Sequence, residues 1–111
     1  MIIRIHETDF EGHPVSCTGE YYSGDTALDI IEGMKLNPFQ HHLTPMEYMR
    51  SVLDNIGEQN FKLPEGDEEW AANEFLNHLV ALGYAMFYLN AGGFTEDGEY
   101  IPGTPIEKEK F

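Results

Sequence analysis

The sequence predicts an α+β fold: an N-terminal β-hairpin, three central helices, and one or two C-terminal strands completing a small antiparallel or mixed sheet. Three observations carry this. Apolar and polar residues alternate over the first seven positions, helix-start chemistry recurs through the middle of the chain, and an Asp-Gly pair sits near its end.

In Met1 to Glu7, Ile3 and Ile5 alternate with Arg4 and His6, the period of a half-buried strand, with His6 expected on the solvent face. Gly12 and Pro14 break the pattern, so Asp9 to Pro14 reads as a turn. Residues 15 to 22 then form the returning strand.

Ser23-Gly24-Asp25 supplies side-chain oxygens for a helix start, and Ala27, Leu28, Ile31 and Met34 follow at helical spacing until Asn37-Pro38. A sharper start is Thr44-Pro45-Met46-Glu47. Thr44 caps, Pro45 suits the first helical position, and Glu47 completes a capping box. Met49, Val52, Leu53 and Ile56 make the apolar stripe, and Gly57 stops the helix. Asp67 opens the third helix, with Glu68 and Glu69 where the helix dipole favours negative charge. Trp70, Ala71, Phe75, Leu79 and Leu82 are expected on one face, with Leu76 and Val80 beside them.

Gly83 poses a choice between continuing that helix and capping it. The short aromatic run 84–89 favours a cap followed by a central strand. Phe94 to Ile101, with Asp97-Gly98, reads as a two-residue hairpin turn between short strands, which Pro102, Gly103 and Pro105 terminate.

The strand, turn, strand, then Tyr21 to Ile31 order with Gly24-Asp25-Thr26-Ala27-Leu28 resembles the opening of β-grasp domains, including ubiquitin-like and ferredoxin-like members. The chain lacks the cysteine cluster of the iron–sulfur members and does not end in the diglycine of ubiquitin-like carriers, so the resemblance implies no cofactor or activity.

At 111 residues, 41% hydrophobic and 13% aromatic, the chain is long and apolar enough for one core, expected over 1–105, with 106–111 as a loose tail or docking segment. Its formal charge is −14, with acids spread from Glu7 to Glu109. Such a field repels phosphate backbones and anionic lipid, so direct nucleic-acid binding and membrane adhesion are not expected; the charge either attracts a basic protein or serves only to keep the chain soluble and monodisperse, the plainer of the two readings. There is no charged-then-apolar leader and no run long enough to span a bilayer, so a cytoplasmic protein is expected. Cys17 is the single cysteine; without an internal disulfide it suits a reducing compartment, and with no basic neighbour in sequence it reads as a packed residue and not as a nucleophile.

The metal candidates are His41, His42, Glu74 and His78. Imidazoles near carboxylates can ligate zinc or iron, and Glu74 and His78 share a helix face, but adjacent histidines in a loop seldom converge on one ion, the spacings of established metal motifs are missing, and a surface ion pair explains the second pair equally well. Asp25 with Asp29, and Asp67-Glu68-Glu69, read as capping and solubility residues. Gly92-Gly93 lacks the lysine of a phosphate loop and reads as a hinge. No catalytic residue and no cofactor is assigned.

Aromatic residues exceed what a minimal core needs, and Tyr84, Phe87 and Tyr88 are the candidate interface anchors. The expectation is a small acidic protein–protein interaction or regulatory module, self-associating and non-catalytic, with a second copy or a basic protein as partner. Alternatives are an acidic nucleic-acid mimic that binds a basic DNA-binding protein, and a ligand or metal binder using the histidines.

Overall fold

The computed structural model describes residues 1–15, 18–35, 42–90, 92–101 and 103–106. In chain order the elements are β1 (Ile2–Ile5), β2 (Glu20–Ser23), α1 (Ala27–Met34), α2 (Pro45–Asn55), α3 (Glu68–Ala81), β3 (Ala85–Tyr88), β4 (Gly93–Phe94) and β5 (Tyr100–Ile101). The expected α+β class is present: three helices and a small antiparallel sheet. The hairpin-then-helix order behind the β-grasp resemblance is present as β1, β2 and α1. By contacts the chain divides into two units. The first is Met1–Ser23 with Leu79–Phe111, and the second is Gly24–His78.

In the first unit the sheet order is β2-β1-β3, with Ile3 opposite both Tyr22 and Phe87, and Arg4 opposite both Tyr21 and Met86. β1 is therefore the central strand. The segment 85–88 is a strand, as Gly83 suggested, but it flanks β1 and does not take the centre. Its outer side is lined by the chain's return, where Leu89 N–H donates to Thr104 C=O and Ile106 N–H to Phe87 C=O.

The turn expected at Asp9–Pro14 is there. The Asp9 carboxylate accepts from the Glu11 and His13 amides, each at 2.9 Å, and Gly12 has a φ of 86°. β2 starts later than expected, at Glu20. Gly19 has a φ of 92°, and a Cβ there would overlap the Ile5 carbonyl, so regular pairing resumes only beyond it. His6 is buried and not on a solvent face. Its amide donates to Tyr84 C=O and its Nδ1 lies 3.2 Å from Gly83 C=O, because the chain entering β3 covers that side.

In the second unit, α2 follows its sequence signature throughout. Thr44 Oγ1 accepts from Glu47 N–H, the Glu47 carboxylate accepts from Thr44 N–H, and Pro45 is the first helical residue. At its end Glu58 N–H reaches Leu53 C=O and Gly57 N–H reaches Asp54 C=O, a Schellman closure with Gly57 at φ 83°. α1 is capped by Thr26, one residue beyond the expected cluster, with Ser23 ending β2 instead. The expected stop at Asn37-Pro38 lies outside the described residues.

The buried residues of α3 are Ala71, Ala72, Phe75, Leu76 and Leu79, whereas Trp70 and Leu82 are exposed. The buried stripe runs through 72, 75, 76 and 79. At about 100° per residue, Trp70 lies roughly 160° from Ala72, and Leu82 falls past the last helical residue. α3 closes like α2: Tyr84 N–H donates to Leu79 C=O and Gly83 N–H to Val80 C=O, with Gly83 at φ 89°.

Candidate interaction surface

Among the described residues, every exposed large apolar side chain except Trp70 belongs to the first unit, and the β4–β5 ribbon concentrates them. Phe94 is 77% exposed, Tyr100 53% and Ile101 54%. Gly93 pairs with Ile101 and Phe94 with Tyr100. The turn spans three residues, not two: Thr95 N–H donates to Glu99 C=O, Gly98 N–H donates to Thr95 C=O, and Gly98 adopts a φ of 86°. This is a type I turn followed by a left-handed bulge glycine, the geometry in which Asp-Gly occupies the second and third loop positions.

Because Thr95 and Glu99 form a hydrogen-bonded pair, the next pair, Phe94 and Tyr100, is non-hydrogen-bonded. Their side chains are then drawn together on one face, and their backbone N–H and C=O groups point to the ribbon's outer edges. The ring centroids lie 5.5 Å apart at 58°, as this register requires. Glu96, Asp97 and Glu99 are exposed around the tip, and none contacts a described cation.

The expected anchors are placed differently from one another. Phe87 and Tyr88 are each 5% exposed, and Tyr84 is half-buried with its carbonyl accepting from His6. Tyr88 belongs to a box on the sheet. The Arg4 guanidinium lies 4.8 Å over the Tyr21 ring, Tyr21 meets Tyr88 edge-to-face at 5.1 Å, and Arg4 Nε donates to Gly19 C=O at 3.1 Å. Arg4 Nη1 reaches Tyr88 Oη at 3.5 Å, a contact that raises the guanidinium pKa further. The Tyr21 hydroxyl is buried and has no hydrogen-bond partner among the described residues. A Cβ at Gly103 would overlap the Asn90 backbone carbonyl and crowd the Tyr21 hydroxyl at 3.1 Å, so the return of the chain needs glycine there.

Of the metal candidates, His41 lies outside the described residues, and His42 and Glu74 are exposed. His78 Nε2 is 3.0 Å from Glu58 Oε1, and its ring stacks on Phe61 at 3.9 Å, so its carboxylate partner is Glu58 and not Glu74. Among the described residues no group of three or more His, Cys, Asp or Glu side chains could hold a metal. Cys17 is outside the described residues. Asp25 and Asp29 are exposed, and Gly92 N–H donates to Asn90 Oδ1.

The second unit carries an open cleft of about 620 Å³ lined by Met46, Glu47, Arg50, Lys62, Leu63 and Glu65. Its two cations face two acids, and Arg50 is already occupied: Nη1 donates to Phe61 C=O at 2.6 Å, Nη2 to Glu58 C=O at 2.8 Å, and Nε to Asp54 at 3.2 Å. Arg50 is thus a clamp on the loop that follows α2.

Sequence reading missed two residues that organise this unit, Arg50 and Glu69. The Glu69 carboxylate accepts from Ala27 N–H at 2.9 Å and Leu28 N–H at 3.0 Å, so a residue read as serving its own helix also caps the start of α1. No local signal marks it, since its acceptor role lies more than forty residues away in the chain. Compared with known proteins, the chain matches no family model, no curated protein and no solved structure.

Proposed function

We propose that this chain is a small, acidic, cytoplasmic protein–protein interaction module without catalytic chemistry, and that the β4–β5 ribbon is its contact surface. The observation behind this is the Phe94–Tyr100 ring pair, held open on a two-stranded ribbon by a bulged turn. Two strands have no stability of their own in water, and two exposed rings gain by desolvation against another surface. Aromatic side chains with little rotamer freedom are the usual interface anchors.

Self-association needs no other protein and is tested first. Sedimentation velocity of the purified chain over a wide concentration range, beside Phe94→Ser/Tyr100→Ser, reads it directly. A concentration-dependent dimer lost in that variant supports a module completed by its own copy. A monomer throughout moves the partner to another protein. A Phe94→Ser/Tyr100→Ser protein indistinguishable from wild type in self-association and in binding to every protein partner tested removes the ribbon from the function.

A further inference from the structure

We infer that the β4–β5 ribbon docks an extended, basic segment of another protein in which Lys or Arg alternates with large apolar residues. This inference rests on the interaction-module reading and adds the chemistry of the partner. Three observations converge on it.

The first is backbone geometry. The Thr95–Glu99 hydrogen-bonded pair leaves the N–H and C=O groups of Phe94 and Tyr100 directed at the ribbon's two outer edges. No described backbone group outside the ribbon bonds them. An extended segment laid along either edge would therefore continue a sheet, and main-chain hydrogen bonding would set its direction. The second is side-chain alternation. Apolar residues two apart on such a segment would fall on the face of the Phe94 and Tyr100 rings, and the intervening residues on the opposite face, where Ile101 stands.

The third is charge. Glu96, Asp97 and Glu99 are exposed in and beside the turn that joins Phe94 to Tyr100, with carboxylates that contact no described cation, within a chain of net charge −14. A second copy brings an equally acidic surface to the ribbon, and like charges within a Debye length of about 8 Å at physiological salt are only weakly screened. Anionic lipid meets the same repulsion. A Lys- or Arg-bearing segment gains from those carboxylates in both association rate and register.

The test uses the full chain and a short capped peptide in which Lys and Leu alternate, with an isocharge peptide in which Ser replaces Leu. Binding is read by amide chemical-shift changes and titration calorimetry at about 0.15 M salt. The expected result is shifts centred on residues 93–101. Affinity should be lost at least about tenfold both with the Ser peptide and with Phe94→Ser/Tyr100→Ser. Glu96→Gln/Asp97→Asn/Glu99→Gln should weaken binding and flatten its salt dependence, whereas Asp25→Asn/Glu68→Gln/Glu74→Gln, the same change in charge elsewhere, should not.

Equal losses with the two neutralised triples would overturn the inference, since a diffuse field would then be responsible. So would a ribbon-dependent dimer that excludes the peptide, or peptide binding only after removal of residues 107–111, which carry Lys108, Lys110 and Phe111. In the dimer case the interaction-module reading survives with a second copy as occupant. If neither the peptide nor a second copy engages the ribbon, both statements fall.

Discussion

Replacing Glu69 by alanine removes the acceptor for two backbone N–H groups at the start of α1, at 2.9 and 3.0 Å. These are orphan donors of a helix N-terminus, and the carboxylate also meets the positive end of the α1 dipole. Hydrogen bonds to a charged acceptor contribute about 1.5 kcal/mol each at the lower end of their range, so the pair contributes about 3 kcal/mol. That exceeds the loss at an ordinary surface acid by several-fold. For a domain of this size, 3 kcal/mol lowers Tm by roughly 10 °C.

Glu69→Gln keeps the shape but turns an NH2 group towards one of the two donors, so it should recover at most one bond and still lose about 2 kcal/mol. Glu68→Ala is the control: Glu68 is in the same first turn of α3, is exposed and accepts from no amide among the described residues, so only a dipole contribution of about 0.5 kcal/mol is at stake. Urea unfolding followed by far-UV circular dichroism and Trp70 fluorescence measures all three. If Glu69→Ala costs no more than Glu68→Ala, the bridge between α3 and α1 does not contribute as the geometry requires.

Arg50→Lys should cost about 1.5 kcal/mol in the same assay, because one ammonium cannot reproduce the fork that holds the Glu58 and Phe61 carbonyls; wild-type stability would discount the clamp. The hydrogen bond from Thr44 N–H, followed by the contribution of the Thr44 side chain, holds the Glu47 carboxyl below its ordinary value. A depressed carboxyl contributes stability that is present above its unfolded-state pKa and is lost as pH falls through the lower folded-state value. Acid unfolding between about pH 5 and pH 3 should therefore be shallower in Glu47→Gln than in wild type, and matching curves would count against the capping box. With a charge of −14, Tm should rise as salt increases from low ionic strength, and a flat response would mean that the acids are already compensated.

The elements legible in the sequence are those whose hydrogen bonds close within one turn. Thr44, Pro45, Glu47 and Gly57 define α2 from its own residues, and Gly83 sets the end of α3 by the same Schellman chemistry. Asp97-Gly98 marked the ribbon turn, although a type I turn with a bulge serves the pair as well as the two-residue loop, and the local sequence does not choose between them. Such features need no distant partner, so composition and spacing specify them.

What each side chain faces was decided elsewhere. His6 alternates with Ile5 as a solvent-facing residue should, yet it is buried by the chain entering β3, nearly eighty residues on. Trp70 is the largest apolar side chain of α3 and stands in solvent, because the buried stripe is centred on Ala72, Phe75 and Leu76. Phe87 stands out in the sequence as an interface anchor and Phe94 does not, yet Phe87 is buried on β3 while β4 leaves Phe94 open. Charge, class and the caps of α2 are properties of neighbouring residues, whereas the Glu69 cap on α1 is not. Burial and availability depend on segments brought together across long loops, which is where tertiary packing overrides local pattern.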